Sequence, residues 1–278
     1  MTRWLITGAS GMLGRDLQLA LAGHDVTAAT RADLDISDPI AVRAAVAGHD
    51  VIVNAAAYTR VDDAETDIAA ATAVNATGAA NLATAAREQG ATLIQISTDY
   101  VFDGTATAPY QSDAPVHPMS VYGRTKAEGE RLALAAHPEG TIVLRTAWLY
   151  GAHGENFVSA ILRLSATHPE IKVLTDQRGQ PTWTADLAER IVDVVENDVP
   201  PGIYHATNAG AASRYEFARE IFSLAGLDPE RIRPAEGDTF ARPAPRPAYS
   251  VLSHDGWAVT GLPPLRPWQE ALAEAAQA

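Results

Sequence analysis

"TGASGMLG", residues 7–14, decides the fold. It follows the apolar run from Trp4 and leads into a helical pattern, which puts Gly8, Gly11 and Gly14 at a strand-to-helix turn. Glycine there permits a tight turn, a close approach of backbone to a diphosphate and close packing of helix on strand, while the helix N-terminus supplies positive charge. The spacing alone also suits a purely structural turn. Its place inside a βαβ unit points instead to a dinucleotide, with Gly8, Ser10, Gly11, Met12 and Leu13 as candidate cofactor contacts.

Outward from this loop, short apolar runs alternate with helical patterns. Strands are expected at Val26–Ala29, Val51–Val53, Thr92–Ile96 and Ile142–Arg145, and helices near Pro39–Ala47, through Ala69–Ala86 and from about Ser120. Repeated βαβ units with fully apolar strands predict a parallel sheet covered on both faces. The fold class is therefore α/β, a Rossmann-type doubly wound parallel sheet with a smaller C-terminal α/β substrate lobe. Residues 1–150 form the dinucleotide-binding domain, with about 180–207 returning to it, and 151–278 are mainly the substrate lobe. In that lobe helices are expected at Phe157–Ser165, Thr184–Glu196 and Pro267–Ala276. Ser213 stands three residues before Glu216 as in a capping box, and the Pro-rich arm "FARPAPRPAYS" is expected to be extended.

The 278 residues are 47% hydrophobic and 20% charged, an ordinary globular composition. A net charge of -13 without a Lys/Arg cluster argues against a nucleic-acid binder, yet leaves room for an anionic small ligand held by local arginines and helix N-termini. The absence of cysteine excludes disulfide and thiolate chemistry and fits a reducing, cytoplasmic setting. "MTRWLITGAS" runs straight into a strand pattern, so neither a secretion signal nor a membrane span is expected. No histidine spacing suggests zinc, and the acidic stretch Asp62, Asp63, Glu65 and Asp67 reads as helix-start carboxylates, so no metal is expected.

The second strand ends in "AATRADLD", where a Rossmann site usually places a carboxylate for the ribose. Arg31 stands there instead and either pairs with a 2'-phosphate, favouring NADPH over NADH, or is a solvated loop arginine. Asp35 and Ile36 are placed to touch the adenine, unless Asp35 only starts the next turn.

"YGRTK", residues 122–126, sets Tyr122 and Lys126 on one helical face. A cation near a phenol favours phenolate and lowers its pKa, which suits proton transfer; the same spacing is common on exposed helices. The strand ending "ISTDYVFDG" brings Ser97 and Thr98 to the C-terminal edge of a parallel sheet, where α/β ligands bind. Cofactor loop, acid and orienting hydroxyl then occur in the order a carbonyl reductase needs.

With these motifs assembled, the chain resembles the extended short-chain dehydrogenase/reductase superfamily and, within it, the dTDP-4-dehydrorhamnose reductases. The likeness runs nearly end to end, through "TGASGMLG", "VIVNAAAYTRVDDAE", "STDYVFDG", "YGRTKAEGE", "LRTAWLYG", "NFV", "DQRGQPT", "GIYHATN" and "RPAYSVL". It implies Tyr122 as proton donor, Lys126 as its pKa-lowering partner and ribose contact, and Thr98 as orienter. It places Asn54, Ala55, Ala56 and Ala57 along the cofactor, and Asn75 as the helix asparagine that shapes the backbone, or else a packing amide. Asp99, Tyr100, Trp148 and Asn156 match positions near the sugar; Arg246 either meets a nucleotide diphosphate or is a surface arginine. The implied partner is a dTDP-linked 4-keto-6-deoxy sugar, with a homodimer left open. "STDYVF", with Tyr100 after the Thr-Asp pair, speaks against a dehydratase. A 4-ketoreductase of another nucleotide deoxysugar, or a non-catalytic nucleotide-binding subunit like that of methionine adenosyltransferase, shares these motifs.

Overall fold

The computed structural model describes residues 1–236 and 242–277, so Phe240 and Ala241 of the Pro-rich arm lie outside the described residues. Six parallel strands form the central sheet. From edge to edge they are Asp25–Ala29, Arg3–Thr7, Val51–Asn54, Thr92–Thr98, Thr141–Thr146 and Gly202–His205.

Successive strand side chains point to opposite faces, and each apolar run feeds two cores. Trp4, Ile6, Val51, Val53, Ile94 and Ile96 pack under helices Met12–Ala20 and Thr184–Glu196. Leu5, Ile52 and Leu93 enter the other core, under Pro39–Val46 and Gly78–Gln89. Burial on both faces is why these strands read as unbroken apolar runs rather than alternating ones.

The chain leaves Arg3–Thr7 for one neighbour, Asp25–Ala29, and returns on the other side as Val51–Asn54. Between the carboxyl ends of Arg3–Thr7 and Val51–Asn54 lies the switch point, the crevice where an open α/β sheet binds ligands. The glycine loop and residues 54–57 meet there.

Beyond the sheet, Ile171–Leu174 pairs with Ile232–Ala235, and helices Phe157–Ser165, Arg214–Leu224 and Trp268–Ala275 close over a third core around Phe217, Phe222 and Trp268. The capping box at Ser213 is present in both directions, Glu216 N donating to Ser213 Oγ at 3.0 Å and Ser213 N to Glu216 Oε2 at 2.6 Å. No described helix is long and apolar enough to cross a membrane.

The Ala-rich segment differs from the uniform helix expected. Between Ile68–Thr72 and Gly78–Gln89 the turn Ala73–Thr77 widens to π-helical geometry. The cause sits inside that turn. Asn75 Oδ1 accepts from Tyr58 N at 2.8 Å, and its Nδ2 donates to Tyr58 O at 3.2 Å and Thr125 Oγ1 at 3.1 Å. Its displaced carbonyl is accommodated because Gly129, on the facing helix, has no Cβ to meet it. Such wide turns recur at functional sites, and this one fixes Tyr58 beside helix Val121–Ala136.

Candidate active site

A cavity of about 750 Å³ opens at the switch point and extends toward the C-terminal lobe. Gly8, Ser10, Gly11, Met12 and Leu13 line one end of it, with Arg31, Asp35 and Ile36 at the second strand and Asn54, Ala55, Ala56 and Ala57 beside them. Helix Met12–Ala20 starts at Gly11 with no side-chain cap, which leaves its first N–H groups for an anion. Gly8 takes a φ of 70°, and a Cβ there would come within 2.8 Å of the Ala55 and Ala56 backbone. A Cβ on Gly14 would strike the Gly8 carbonyl and approach Ala9 Cα to 2.7 Å. This bare-backbone cradle fits a dinucleotide diphosphate. Gly14→Ala is expected to lower stability by about 1–3 kcal/mol and to weaken NADPH binding; a melt and a fluorescence titration check both.

At the far end of the glycine region, Thr98 closes strand Thr92–Thr98 and Tyr122 lies in the first turn of helix Val121–Ala136. That helix is capped twice at its start. Ser120 Oγ accepts from Gly123 N at 3.1 Å, and Glu65 Oε1 accepts from Val121 N at 2.8 Å. Of the acidic stretch, then, Glu65 serves the distant helix Val121–Ala136 rather than its own, while Asp67 Oδ1 accepts from Ala70 N at 3.4 Å as a true cap. Gly123 lets the Tyr100 carbonyl approach closely, and the Tyr100 and Tyr122 rings meet edge to face at 5.7 Å.

Burial pushes the Tyr122 phenol well above its usual pKa, with the Thr98 hydroxyl acting the other way and Asp99 and Tyr100 adding to the rise. The sequence suggested that Lys126 would lower it. Here Lys126 Nζ is buried and donates to the Ile96 carbonyl at 2.5 Å, and desolvation pushes the lysine down to about 8 while Glu130 opposes that fall. Desolvation penalises the charged form of each group and is the largest cause of both shifts. The result is a phenol that stays protonated at neutral pH, the form a proton donor requires.

Beneath Lys126 lies a charged network. Arg145 Nη2 donates to Glu130 Oε2 at 2.7 Å and Nε to Glu130 Oε1 at 3.0 Å, with side chains only 3% and 5% exposed. Ser97 Oγ also donates to Glu130 Oε1, and Arg145 Nη1 reaches the Ser112 carbonyl at 3.0 Å.

On the opposite wall stand Asp99, Tyr100 and Trp148. Burial raises the Asp99 carboxyl to about 6. Trp148 holds a φ of 47°, rare for a bulky residue and a sign of a conformation imposed by its surroundings. Its ring lies against Gly179, where a Cβ would come within 2.6 Å of the indole, and the Arg214 guanidinium carbon sits 3.5 Å from the ring centroid. Arg214 lines the cavity, its pKa pushed down to about 10 by burial. Sequence reasoning passed over Arg214, because it follows the Ser213 cap like any first helical residue; Tyr58, Arg60 and His153 were missed for the same lack of a local signal.

Three candidate residues do not line the cavity. Asn75 is committed to Tyr58 and Thr125 as described. Asn156 caps Phe157–Ser165, its Oδ1 accepting from Ser159 N at 3.1 Å and its Nδ2 donating to Gly151 O at 2.9 Å. Arg246 forms a two-pronged pair with Asp62, at 2.5 and 2.9 Å, and donates to Ala244 O at 2.6 Å. That pair ties the Pro-rich arm to the helix start at Val61 and occupies the guanidinium expected to face a diphosphate. Among the described residues, no group of three or more His, Cys, Asp or Glu side chains could hold a metal ion.

Comparison with known proteins places this geometry. The family model described as RmlD substrate binding domain matches residues 2–278. A probable dTDP-4,6-dihydroxy-2-methyloxan-3-one 4-ketoreductase of Streptomyces antibioticus is 54% identical, over 98% of this chain and 94% of that protein. A dTDP-4-dehydrorhamnose reductase of Streptomyces griseus is 51% identical, over 98% of this chain and 92% of that one. Among solved structures, dTDP-4-dehydrorhamnose reductase of Bacillus anthracis in complex with NADP superposes with a TM-score of 0.95 at 37% identity, covering 99% of both chains.

Proposed function

The chain belongs to the RmlD substrate binding domain family, and from that membership we propose that it is an NADPH-dependent oxidoreductase reducing the C4 ketone of dTDP-4-dehydro-L-rhamnose to dTDP-L-rhamnose. The observation that carries the reading is the convergence of Thr98, Tyr122 and Lys126 in the same cavity as the glycine loop and the uncapped N-terminus of Met12–Ala20. The region 1–150, joined by about 180–207, holds the cofactor; 151–278 mainly form the lobe that closes over the sugar nucleotide. We place the enzyme in the cytoplasm.

The glycine-loop backbone and the helix N-terminus hold the diphosphate of NADPH, and Arg31 faces the 2'-phosphate. When bound, NADPH supplies the hydride that the ketone accepts. Tyr122 delivers the proton to the C4 oxygen from its protonated, buried phenol. Lys126, held by the Ile96 carbonyl, keeps a positive charge within the site that stabilises the phenolate left behind. Trp148, clamped by Gly179 and Arg214, presents an apolar wall to the 6-deoxy sugar.

A second reading is favoured by one finding, the 54% identity to a 4-ketoreductase whose name carries a different dTDP sugar. Both substrates demand the same chemistry. They differ in what the Trp148 and Arg214 wall must accept.

The test is to follow NADPH and NADH oxidation with dTDP-4-dehydro-L-rhamnose and, in parallel, with the dTDP-4,6-dihydroxy-2-methyloxan-3-one for which the Streptomyces antibioticus relative is named. Faster turnover of the first ketone with NADPH, giving dTDP-L-rhamnose by mass and stereochemistry, is the expected result. Preference for the second ketone would move the assignment to the other sugar.

A further inference from the structure

We propose that Arg214 selects the sugar, its guanidinium fork taking the two neighbouring hydroxyls beside the ketone. This rests on the reading of the cavity as the seat of a dTDP-linked keto sugar. Among the described residues, the lysine and arginine side chains lining the cavity are Arg31, Arg60, Lys126 and Arg214. The first three are engaged or distant from the sugar wall. Arg31 stands by the second strand, Arg60 pairs with Asp63 at 2.9 Å and lies over the Tyr58 ring, and Lys126 donates to the Ile96 carbonyl. The guanidinium of Arg214 makes no hydrogen bond among the described residues. It meets aromatic rings instead, with its central carbon 3.5 Å from the Trp148 centroid and 5.1 Å from that of Phe157.

The placement is built from both sides. Ser213 caps the helix, and Gln177 O accepts from Arg214 N at 3.2 Å, which fixes the backbone from which the side chain reaches the cavity. Trp148 is held beneath it at a φ of 47°, against the bare backbone of Gly179. Stacking on a ring uses the flat face of a guanidinium and leaves its in-plane N–H groups to donate.

What those groups receive follows from their neighbour. Asp99 lines the same cavity, is 2% exposed, and feels the opposite charge of Arg214. Its Oδ1 accepts from Thr98 Oγ1 at 3.0 Å, while its Oδ2 has no aligned donor among the described residues, with Ser250 nearby. A wall that offers a free donor fork and a free acceptor suits a hydroxyl, which both accepts and donates. A phosphate only accepts, and it carries the sign of charge that a buried carboxylate repels.

The hydroxyl count separates the two candidate ketones. dTDP-4-dehydro-L-rhamnose carries hydroxyls on the two carbons next to its ketone in sequence, C3 and C2, which match the two prongs of the fork. The other ketone, by its name, carries a single ring hydroxyl beyond the oxygen that joins the nucleotide. With it bound, one guanidinium N–H faces no acceptor. A site built to hydrogen-bond a hydroxyl rejects the analogue that lacks it, because its own polar group is left unpaired.

Two variants test this. Arg214→Met keeps an apolar stem on Trp148 and removes every donor, whereas Arg214→Lys keeps a cation on the ring and removes the fork. By calorimetry with NADP+ present, dTDP-L-rhamnose is expected to bind both variants at least tenfold more weakly than wild type. The affinity of dTDP, which lacks the hexose, is expected to move less than threefold. With NADPH, kcat/KM is expected to fall for both ketones, and the ratio of the first ketone to the second to fall at least tenfold in Arg214→Lys. Loss of packing alone would lower both without moving the ratio. Equal weakening of dTDP and dTDP-L-rhamnose would put the guanidinium on the diphosphate and overturn the assignment. An unmoved ketone ratio would overturn it too. A wild-type enzyme that oxidises no NADPH with either ketone, while its affinity for dTDP-L-rhamnose still depends on Arg214, would defeat the reductase reading and leave the sugar contact standing.

Discussion

Tyr122→Phe is expected to lower kcat by about three orders of magnitude, the range that loss of a positioned general acid spans, while the Kd for NADPH moves less than about twofold. The phenyl ring keeps the edge-to-face contact with Tyr100, whose centroid lies 5.7 Å away, so the packing of helix Val121–Ala136 survives. What disappears is the phenol hydroxyl, whose proton desolvation holds in place at neutral pH. The measurement is kcat with saturating ketone alongside a cofactor titration. Parallel loss of turnover and of cofactor affinity would instead identify Tyr122 as part of the cofactor seat.

Glu130→Leu is expected to cost about 3–5 kcal/mol of stability, because removing one partner of a buried pair strands the other charge. Arg145 would keep its Ser112 contact at 3.0 Å but lose its bonds to Glu130, in a place where its side chain is 3% exposed. For a chain of 278 residues that corresponds to a fall in Tm on the order of 10 °C. Glu130→Leu combined with Arg145→Met should recover much of the loss, since an apolar replacement of both charges leaves nothing uncompensated. Chemistry would respond as well. Glu130 raises the Lys126 pKa against desolvation, so without it the lysine loses its proton at a lower pH than about 8. The alkaline limb of the kcat profile then shifts to lower pH. Unaltered melting together with an unmoved pH limb would remove both the energetic and the electrostatic role assigned to the pair.

The order of elements was legible because period and punctuation are local properties. Apolar runs bounded by glycine, asparagine or aspartate became the central strands, and the expected helices Phe157–Ser165 and Thr184–Glu196 coincide with the observed ones. The Ser213 and Glu216 cap was readable because both partners lie within one turn. The π-helical turn at Asn75 was not, since what widens it is a pair of hydrogen bonds to Tyr58, 17 residues away.

The same division runs through the site. The glycine loop and the Tyr122 and Lys126 pair are contiguous motifs, and sequence determined them, together with their place at the carboxyl edge of a parallel sheet. Tertiary structure alone decided which charges meet. It gave Arg246 to Asp62, 184 residues distant, brought Arg214 onto the Trp148 ring, and buried Glu130 with Arg145 below Lys126. It also set the direction of the Tyr122 shift, opposite to the one a neighbouring cation suggests. Residue identity and spacing fix which groups share a helical face or a turn, but the pKa and partner of a side chain depend on how much water the surrounding chain removes and which distant charge replaces it.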